Sequence, residues 1–90
     1  MDFAWDPVKA AANVQKHQVS FEEARSVFSD PLAITFEDDE HSELEERELI
    51  IGYSDRNRLL LVCFTERKDG IRLISARPVT RLERQDYETQ

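Results

Sequence analysis

Arginine is the residue type in this sequence that is best suited to a chemical role. Residues 46–90 contain nine Lys/Arg, and eight of these nine are arginines. A guanidinium group is planar and can hold a phosphate or a carboxylate through two parallel hydrogen bonds, which a lysine ammonium group cannot do. The second half of the chain therefore carries the side chains that a phosphate-binding site needs.

The overall charge, in contrast, is acidic. The 90-residue chain has a net charge of −7. Residues 1–45 carry eleven Asp/Glu against three Lys/Arg, whereas residues 46–90 carry eight against nine. A protein that coats nucleic acid needs an excess of positive charge, so that class is excluded. Charge alone leaves open a compact phosphate site in the arginine-rich half.

The other reactive side chains form no recognisable site. His17 ends a predicted helix, where a histidine usually complements the helix dipole. His41 lies in an acidic segment, but no second His or Cys supports a metal site there, and we expect no metal ion or cofactor. Cys63 falls in mid-strand and is expected to be buried. Ser75 has no His or Asp partner at a recognisable spacing, so no hydrolase triad is predicted.

Length and composition indicate one globular domain, which we assign to residues 1–90. The chain is 40% hydrophobic and 34% charged, and no apolar run approaches the about 20 residues that span a bilayer. The N-terminal segment lacks the basic and apolar stretches of a secretory signal, and one cysteine cannot form an intramolecular disulfide. We therefore expect a cytoplasmic location and no membrane partner.

Two helices are predicted in the first third of the chain. Asp6-Pro7 is a helix start, because Asp caps free amides and Pro fits the first helical position, and this helix should cover residues 7–17. Ser20 and Glu23 form a capping box that opens the second helix, which Asp30-Pro31 ends. The face of the first helix expected to be buried consists of Val8, Ala11, Ala12 and Val14. The opposite, polar stripe consists of Lys9, Asn13 and Lys16.

Five segments have the composition of β-strands. They are residues 3–5, 32–36, 47–53, 58–67 and 71–79. Segment 58–67 is apolar on both sides and should be the central strand, and the short connections around it favour antiparallel hairpins. A second capping box at Thr80 and Glu83 opens a C-terminal helix. We predict an α+β fold with two N-terminal helices packed on a small antiparallel sheet. The predicted order of its elements is β-α-α-β-β-β-α.

The turn at Lys68-Asp69-Gly70 determines which side chains share a sheet face. A three-residue loop with a left-handed Gly70 places Arg67 opposite Ile71, Thr65 opposite Leu73 and Arg77 opposite Leu61. One face then holds Leu61, Cys63, Thr65, Arg67, Leu73, Ser75 and Arg77, and the helix-facing side holds Leu60, Val62, Phe64, Ile74 and Ala76. A two-residue loop would instead separate Arg67 from Arg77, and ordinary surface ion pairs would also account for both arginines.

The ordered combination of these segments resembles the BrnT family of toxins, the ribonuclease halves of type II BrnT–BrnA toxin–antitoxin pairs. The resemblance extends over essentially the whole chain, with departures at Gln18 and Pro78. The segments that carry it are Phe3-Ala4-Trp5-Asp6-Pro7-Val8-Lys9, Asn13 with Lys16-His17, Val19-Ser20-Phe21-Glu22-Glu23-Ala24, Phe28-Ser29-Asp30-Pro31-Leu32, the acidic loop with His41, Glu46-Arg47, Ile51-Gly52-Tyr53-Ser54, Thr65-Glu66-Arg67, Ile71-Arg72-Leu73-Ile74-Ser75-Ala76-Arg77, and Glu83, Arg84 and Tyr87.

The resemblance implies a RelE-like fold and cleavage of RNA in a bacterial cytoplasm. It implies neutralisation by a BrnA-like antitoxin with a ribbon-helix-helix part, in a complex that represses its own operon. Operator DNA is then contacted only through the antitoxin, and a higher-order toxin–antitoxin complex is compatible with this arrangement. Two other functions stay open: a non-catalytic binding module, and a degenerate toxin that acts only as a co-repressor.

RNA cleavage without a metal ion requires a base for the 2′-hydroxyl, a cation for the phosphate and a proton for the leaving 5′-oxygen. We expect Arg67 and Arg77 to stabilise the phosphate, and Lys16 and His17 to bind phosphate or transfer protons. Tyr87 should close over the same sheet face and complete the catalytic set. The expected RNA-binding residues are Lys9, Thr65, Arg72, Arg81 and Arg84. Glu83 has two interpretations, as a capping residue and as a member of the site.

Overall fold

The structure is a computed structural model that describes residues 2–41 and 45–90. These residues contain three α-helices and five β-strands. In chain order they are β1 (Phe3–Ala4), α1 (Pro7–His17), α2 (Phe21–Ser26), β2 (Ile34–Glu37), β3 (Glu48–Tyr53), β4 (Leu59–Arg67), β5 (Gly70–Pro78) and α3 (Arg81–Glu88). Short 3-10 turns lie at Val27–Ser29 and Asp39–His41. No helix in these described ranges is long and apolar enough to cross a membrane.

The strands form one sheet in the order β1-β5-β4-β3-β2, so β4 is central as predicted. The expected order is short by one strand, because residues 34–37 pair with β3 as a separate edge strand, with Ile34 opposite Ile51. The sheet is mixed and not antiparallel throughout, because β1 lies parallel to β5. A two-residue strand carries too little pattern to reveal its partner from the sequence.

Two hydrophobic cores lie on opposite faces of this sheet. The larger core joins α1 and α2 to the sheet, and its buried members are Val19, Phe21, Ala24, Val27, Ile50, Leu60, Val62, Phe64, Ile71, Leu73 and Ala76. The smaller core contains Ile51, Leu59, Leu61 and Tyr87, of which only Tyr87 comes from α3. Burial of one large apolar side chain contributes about 1.5–3 kcal/mol. α2 and the residues that flank it are therefore held by several buried apolar side chains, whereas α1 adds only the partly buried Ala10 and α3 adds Tyr87.

α1 turns Asn13 and Ala10 toward the sheet, so the expected apolar face is wrong, although Lys9 and Lys16 of the polar stripe stay exposed. Asn13 is buried, with 7% of its surface exposed, whereas Val8 is 78% exposed. The Asn13 amide donates to the carbonyl oxygens of Val19 (2.9 Å) and Ala76 (2.8 Å) and accepts from the Ala76 N–H (3.1 Å). β1 covers β5 only at residues 71 and 72. The outer edge of β5 at Ala76 therefore needs side-chain partners, which an amide supplies.

The register of the β4–β5 hairpin differs from the prediction near the turn. Arg67 lies opposite Gly70 and Thr65 opposite Arg72, so the predicted pairs are wrong by one residue there. A shift in the ladder next to Cys63 restores the predicted pairing of Leu61 with Arg77, as a β-bulge does. As a consequence, Leu73 and not Ile74 joins the core under the helix pair.

Glycine is required at position 70 because β1 approaches it closely. Gly70 has a φ of 142°, and a Cβ atom there would lie 2.2 Å from the carbonyl oxygen of Asp2. That same carbonyl accepts a hydrogen bond from Ile71 N–H at 2.8 Å. The contact between β1 and the hairpin therefore depends on the missing side chain.

Glu23 connects α2 to the start of β4. Ser20 Oγ caps the Glu23 N–H (3.1 Å) as predicted, but the Glu23 carboxylate turns away from the cap. It accepts hydrogen bonds from Ser54 Oγ (2.6 Å) and Arg58 Nε (2.9 Å). Hydrogen bonding by Arg58 outweighs burial and holds the pKa of Glu23 below its usual value. The group is therefore ionised at neutral pH and paired in a nearly buried position.

Candidate functional site

The predicted site residues lie in two groups at opposite ends of the sheet. Arg67 and Arg72 lie beside the β4–β5 turn. We call the surface formed by Thr65, Arg67 and Arg72 the hairpin end. Arg77 lies seven residues along β5 from Gly70, the partner of Arg67 (77 − 70), or roughly 23 Å at about 3.3 Å per residue. The structure therefore does not bring Arg67 and Arg77 onto one phosphate.

The hairpin end is rich in carboxylates. Arg67 Nη2 donates to Glu45 Oε2 at 3.0 Å, and the two side chains are 45% and 37% exposed. Thr65 is only 4% exposed, and its hydroxyl donates to the Glu46 carbonyl oxygen at 2.9 Å. Arg67 and Arg72 also border a groove beside β1 whose lining includes Asp2, Asp6 and Asp69. These charges disfavour a polyanion at this end.

Like charges also meet on the neighbouring strands of the hairpin end. Glu48 lies directly opposite Glu37 in the β2–β3 ladder. Burial, followed by repulsion from Glu66, Glu37 and Glu46, raises the pKa of Glu48 above its usual value. The carboxylates on these strands therefore offset part of the positive charge that Arg67 and Arg72 bring to this end.

α1 carries its basic residues to the opposite end. Asn13 bonds to Ala76, and the Gln18 carbonyl oxygen accepts from Arg58 Nη2 at 2.9 Å, so α1 ends where β5 also ends. Lys16 is exposed and His17 is half-buried at this position, while Lys9 is exposed further up the helix. Because α1 and α3 pack on opposite faces, Lys16 and His17 share an end of the sheet with Arg77 but not a face.

Arg77 and Glu83 form the best-ordered charged contact among the predicted site residues. Arg77 Nη1 and Nη2 donate to Glu83 Oε1 and Oε2, each at 2.8 Å. The hydrogen bond from Arg77 lowers the pKa of Glu83, and the one to Glu83 raises the pKa of Arg77. Both side chains are therefore charged at neutral pH.

Glu83 also caps the helix that carries it. Its Oε1 accepts from the Thr80 N–H at 2.8 Å, and Thr80 Oγ1 accepts from the Glu83 N–H at 3.2 Å, which completes the predicted capping box. The same carboxylate thus fixes the first turn of α3 and the guanidinium of Arg77. Both interpretations of Glu83 from the sequence are compatible with this geometry.

Two more of the predicted arginines extend this surface along α3. Arg81 and Arg84 are exposed on the helix, and Arg84 Nη1 lies 3.5 Å from the Tyr53 hydroxyl. We call the surface formed by Arg77, Arg81 and Arg84 the α3 end. Three of the predicted cationic side chains therefore lie on β5 and on α3, the helix that follows it.

Tyr87 has a structural partner and not a free hydroxyl. Its side chain is 8% exposed, its hydroxyl donates to Asp30 Oδ2 at 2.7 Å, and its ring packs edge-on against Tyr53 at 5.5 Å. Burial first, then the bond to Asp30, raises the pKa of Tyr87 to about 12. A phenol held this way is a weak proton donor near neutral pH. The side chain instead attaches α3 to the sheet, through Asp30 and the smaller core.

Asp30 is a site-supporting residue that the sequence presented only as a helix stop. Its Oδ2 accepts from the Tyr53 N–H (2.8 Å) as well as from Tyr87, and its Oδ1 accepts from the Leu32 N–H (2.9 Å). Burial is the largest influence and opposes ionisation, but the three hydrogen bonds together outweigh it and lower the pKa of Asp30. The local bond to Leu32 does not reveal this role, because the other two partners, Tyr53 and Tyr87, lie far along the chain.

The remaining candidates stay apart from this surface. Cys63 is buried as predicted, and burial followed by the nearby charge of Asp38 raises its pKa to about 11, which suppresses thiolate reactivity. Ser75 lies opposite Cys63 in the hairpin. Within the described ranges no group of three or more His, Cys, Asp or Glu is arranged to hold a metal ion. The side chain of His41 lies outside the described structure.

Comparison of the sequence with known protein families shows the family of this chain. Residues 5–83 match the family described as ribonuclease toxin, BrnT, of type II toxin–antitoxin system, which is 79 of the 90 residues (83 − 5 + 1). The match includes α1 through β5 and the start of α3. None of the curated proteins matches the chain at a significant level. Type II systems pair a toxin with an antitoxin protein, and the chain belongs to the BrnT family of ribonuclease toxins of these systems.

Proposed function

We propose that this chain is an endoribonuclease that cleaves RNA in the cytoplasm without a metal ion and thereby arrests growth. The observation that carries the proposal is the family match over residues 5–83. A RelE-like fold is part of the proposal and is supported by the helix pair on one face of a sheet with antiparallel β2 to β5.

In the proposed reaction, the ribose 2′-hydroxyl loses its proton to a base and its oxygen bonds to the adjacent phosphorus. The bond from phosphorus to the 5′-oxygen breaks, and that oxygen takes up a proton from an acid. Negative charge develops on the phosphate oxygens, and a positioned cation lowers the barrier. We assign the cation role to Arg77, because it is firmly oriented and 36% of its side-chain surface is exposed.

Proton transfer is assigned to Lys16 and His17. Because they share an end of the sheet with Arg77 but not its face, this assignment requires the RNA strand to pass around that end, so that a base or acid comes within hydrogen-bond reach of the phosphate. Arg81, Arg84 and Lys9 are exposed and are assigned to the RNA backbone. Arg67 and Arg72 are assigned a secondary contact. Thr65 and Tyr87 receive structural roles, because their hydroxyls already donate to Glu46 and Asp30.

The proposed partner is a BrnA-like antitoxin with a ribbon-helix-helix part, which with the toxin represses their shared operon. A type II family implies an antitoxin, and a net charge of −7 suits a basic protein partner and disfavours direct contact with operator DNA. Operator contacts are therefore assigned to the antitoxin.

The test is incubation of the purified chain with total RNA, with and without EDTA and with and without the antitoxin. We expect cleavage that survives EDTA and disappears when the antitoxin is added. RNA that stays intact at a large excess of folded chain would contradict the proposal. Retained operator binding by the toxin–antitoxin complex would then identify a co-repressor.

A further inference from the structure

The hydrogen-bond donors of Arg77 are divided unequally between the edges of its guanidinium group. Nη1 and Nη2 donate to the two Glu83 oxygens, and Nη1 also donates to the Pro78 carbonyl oxygen at 3.2 Å. An arginine side chain has five N–H donors in a fixed planar arrangement. Acceptors within the described residues therefore take three of them, all from Nη1 and Nη2.

The two donors left over lie on Nε and Nη2 and point in the same direction. Nε of Arg77 has no acceptor within residues 2–41 and 45–90 and is not fully enclosed, and 36% of the side-chain surface is exposed. Two parallel N–H groups at one planar edge match two oxygens of a phosphate group. The Nε–Nη2 edge thus has the shape and charge of a site for an anion with two neighbouring oxygens.

The acceptors that hold the opposite edge are themselves fixed. Glu83 is anchored by Thr80 through the capping box, and α3 is anchored by the bond from Tyr87 to Asp30. Arg67 has weaker support: among the described residues it pairs with Glu45, which lies outside any helix or strand and whose side chain is 37% exposed. The guanidinium group of Arg77 is therefore held in a fixed orientation more firmly than that of Arg67, although the two side chains are chemically identical.

We propose that the Nε–Nη2 edge of Arg77 binds a phosphodiester group of RNA, and that Glu83 is the positioning residue that keeps this edge available. The choice of RNA rests on the proposed function, whereas the anion site itself rests on the geometry of Arg77. Glu83 places a negative charge near the bound phosphate, so its contribution is orientation and not affinity. Loss of Glu83 should therefore lower kcat without weakening ground-state binding.

Binding is tested by NMR on the arginine Nε–H signals of the full chain, titrated with a 2′-deoxyoligonucleotide. This probe has phosphodiester groups but no 2′-hydroxyl, so it is not cleaved by the proposed route. We expect the Arg77 signal to shift saturably and the Arg67 signal to shift much less. Inorganic phosphate in a parallel titration distinguishes a general anion site, at which it competes fully, from one selective for a phosphodiester strand. An Arg77 signal that does not respond to either probe overturns the site.

The positioning role is tested with Glu83→Gln, which keeps an acceptor for Thr80 but removes the charge. We expect kcat to fall about tenfold to a hundredfold, the range for a misplaced catalytic group, while affinity for the deoxyoligonucleotide stays equal or rises. Thr80→Ala is the matched control: it loses a cap but keeps the Arg77–Glu83 contact, so its kcat should remain within about threefold. A rise of kcat in Glu83→Gln would show that Glu83 inhibits and overturn the positioning role.

If Glu83→Gln fails to fold, Arg77→Lys tests the same two-point phosphate contact in a second variant. Lysine keeps the charge and loses the fork, so we expect the affinity to remain within about threefold and kcat to fall at least tenfold. An unchanged kcat contradicts the fork. If the native chain cleaves no RNA, the proposed function fails, but the NMR titration still decides whether Arg77 binds an anion.

Discussion

The hydroxyl of Tyr87 donates to Oδ2 of Asp30, 57 positions earlier in the chain, at 2.7 Å. This bond ties the last helix to the loop before β2, on the sheet face opposite the helix pair. Tyr87 is also the sole α3 member of the smaller core described above. The position of Glu83, one turn earlier on α3, therefore depends on Tyr87, and with it the orientation of Arg77.

Replacement of Tyr87 by Phe should lower stability and leave the chemistry nearly intact. The variant keeps the ring and loses a hydrogen bond to a charged group, which contributes about 1.5–3 kcal/mol. We expect the free energy of unfolding in urea to fall by that amount and kcat to change by less than about threefold. Tyr53→Phe is the matched control, because its hydroxyl makes only a 3.5 Å contact with Arg84. A hundredfold loss of kcat in folded Tyr87→Phe would return Tyr87 to a catalytic role.

Asn13 should be the most sensitive position on α1, although its residue type suggests a surface site. Asn13→Leu removes the partners of the Ala76 N–H and of the Ala76 and Val19 carbonyl oxygens, and each buried unpaired group costs about 1–3 kcal/mol. We expect urea unfolding to show a loss of at least about 2 kcal/mol. In contrast, Val8→Ser on the exposed side should change stability by less than about 0.5 kcal/mol. Equal losses in the two variants would contradict the observed helix face.

Acidification should destabilise the protein through carboxylates whose pKa values are lowered on folding. Hydrogen bonding by Arg58 lowers the pKa of Glu23 from 4.5, so its contribution is present above pH 4.5 and is lost as the pH falls through the lower, folded value. Urea unfolding from pH 7 to pH 3 should show this loss. Glu23→Gln should reduce the slope and lower stability at pH 7 by about 2 kcal/mol.

Glu48 provides a matched control of opposite sign. Its pKa is raised above 4.5 by burial and by Glu66, Glu37 and Glu46, so its contribution favours the folded state below pH 4.5 and is lost as the pH rises through the higher, folded value. Glu48→Gln should therefore raise stability at pH 7, by up to about 1 kcal/mol. A destabilised Glu48→Gln variant at pH 7 would contradict the repulsion between these carboxylates.

Local signals in the sequence predicted the elements, and contacts between distant residues determined how they pack. The starts of α1 and α3 follow from Asp6-Pro7 and from Thr80 with Glu83, which interact within three positions. The packing face of α1 depends on an amide that reaches Ala76, 63 positions away, and no periodicity encodes such a contact. Hydrophobic spacing alone therefore assigned the wrong face.

The grouping of the predicted site residues could be predicted only in part from the sequence. Abundant arginine indicated phosphate chemistry, and Arg77 and Glu83 do lie together. Whether Arg67 joins them depended on the turn and on the ladder shift next to Cys63. A turn that contains Gly70 is compatible with loops of two or three residues, so the sequence left the register open.

The separation of Arg67 and Arg77 predicts how their substitutions combine. Arg77→Ala should reduce kcat about 10²–10³-fold, as loss of a transition-state donor does, while Arg67→Ala should act mainly on KM, by less than about tenfold. Residues more than about 7–10 Å apart with separate partners have additive free energies, and these two pair with Glu83 and Glu45 respectively. The double variant should therefore show the product of the two losses in kcat/KM, measured on one RNA substrate with folding checked by urea unfolding. A double variant no worse than Arg77→Ala alone would mean that both arginines act on one phosphate, which the observed register does not allow without rearrangement of the hairpin.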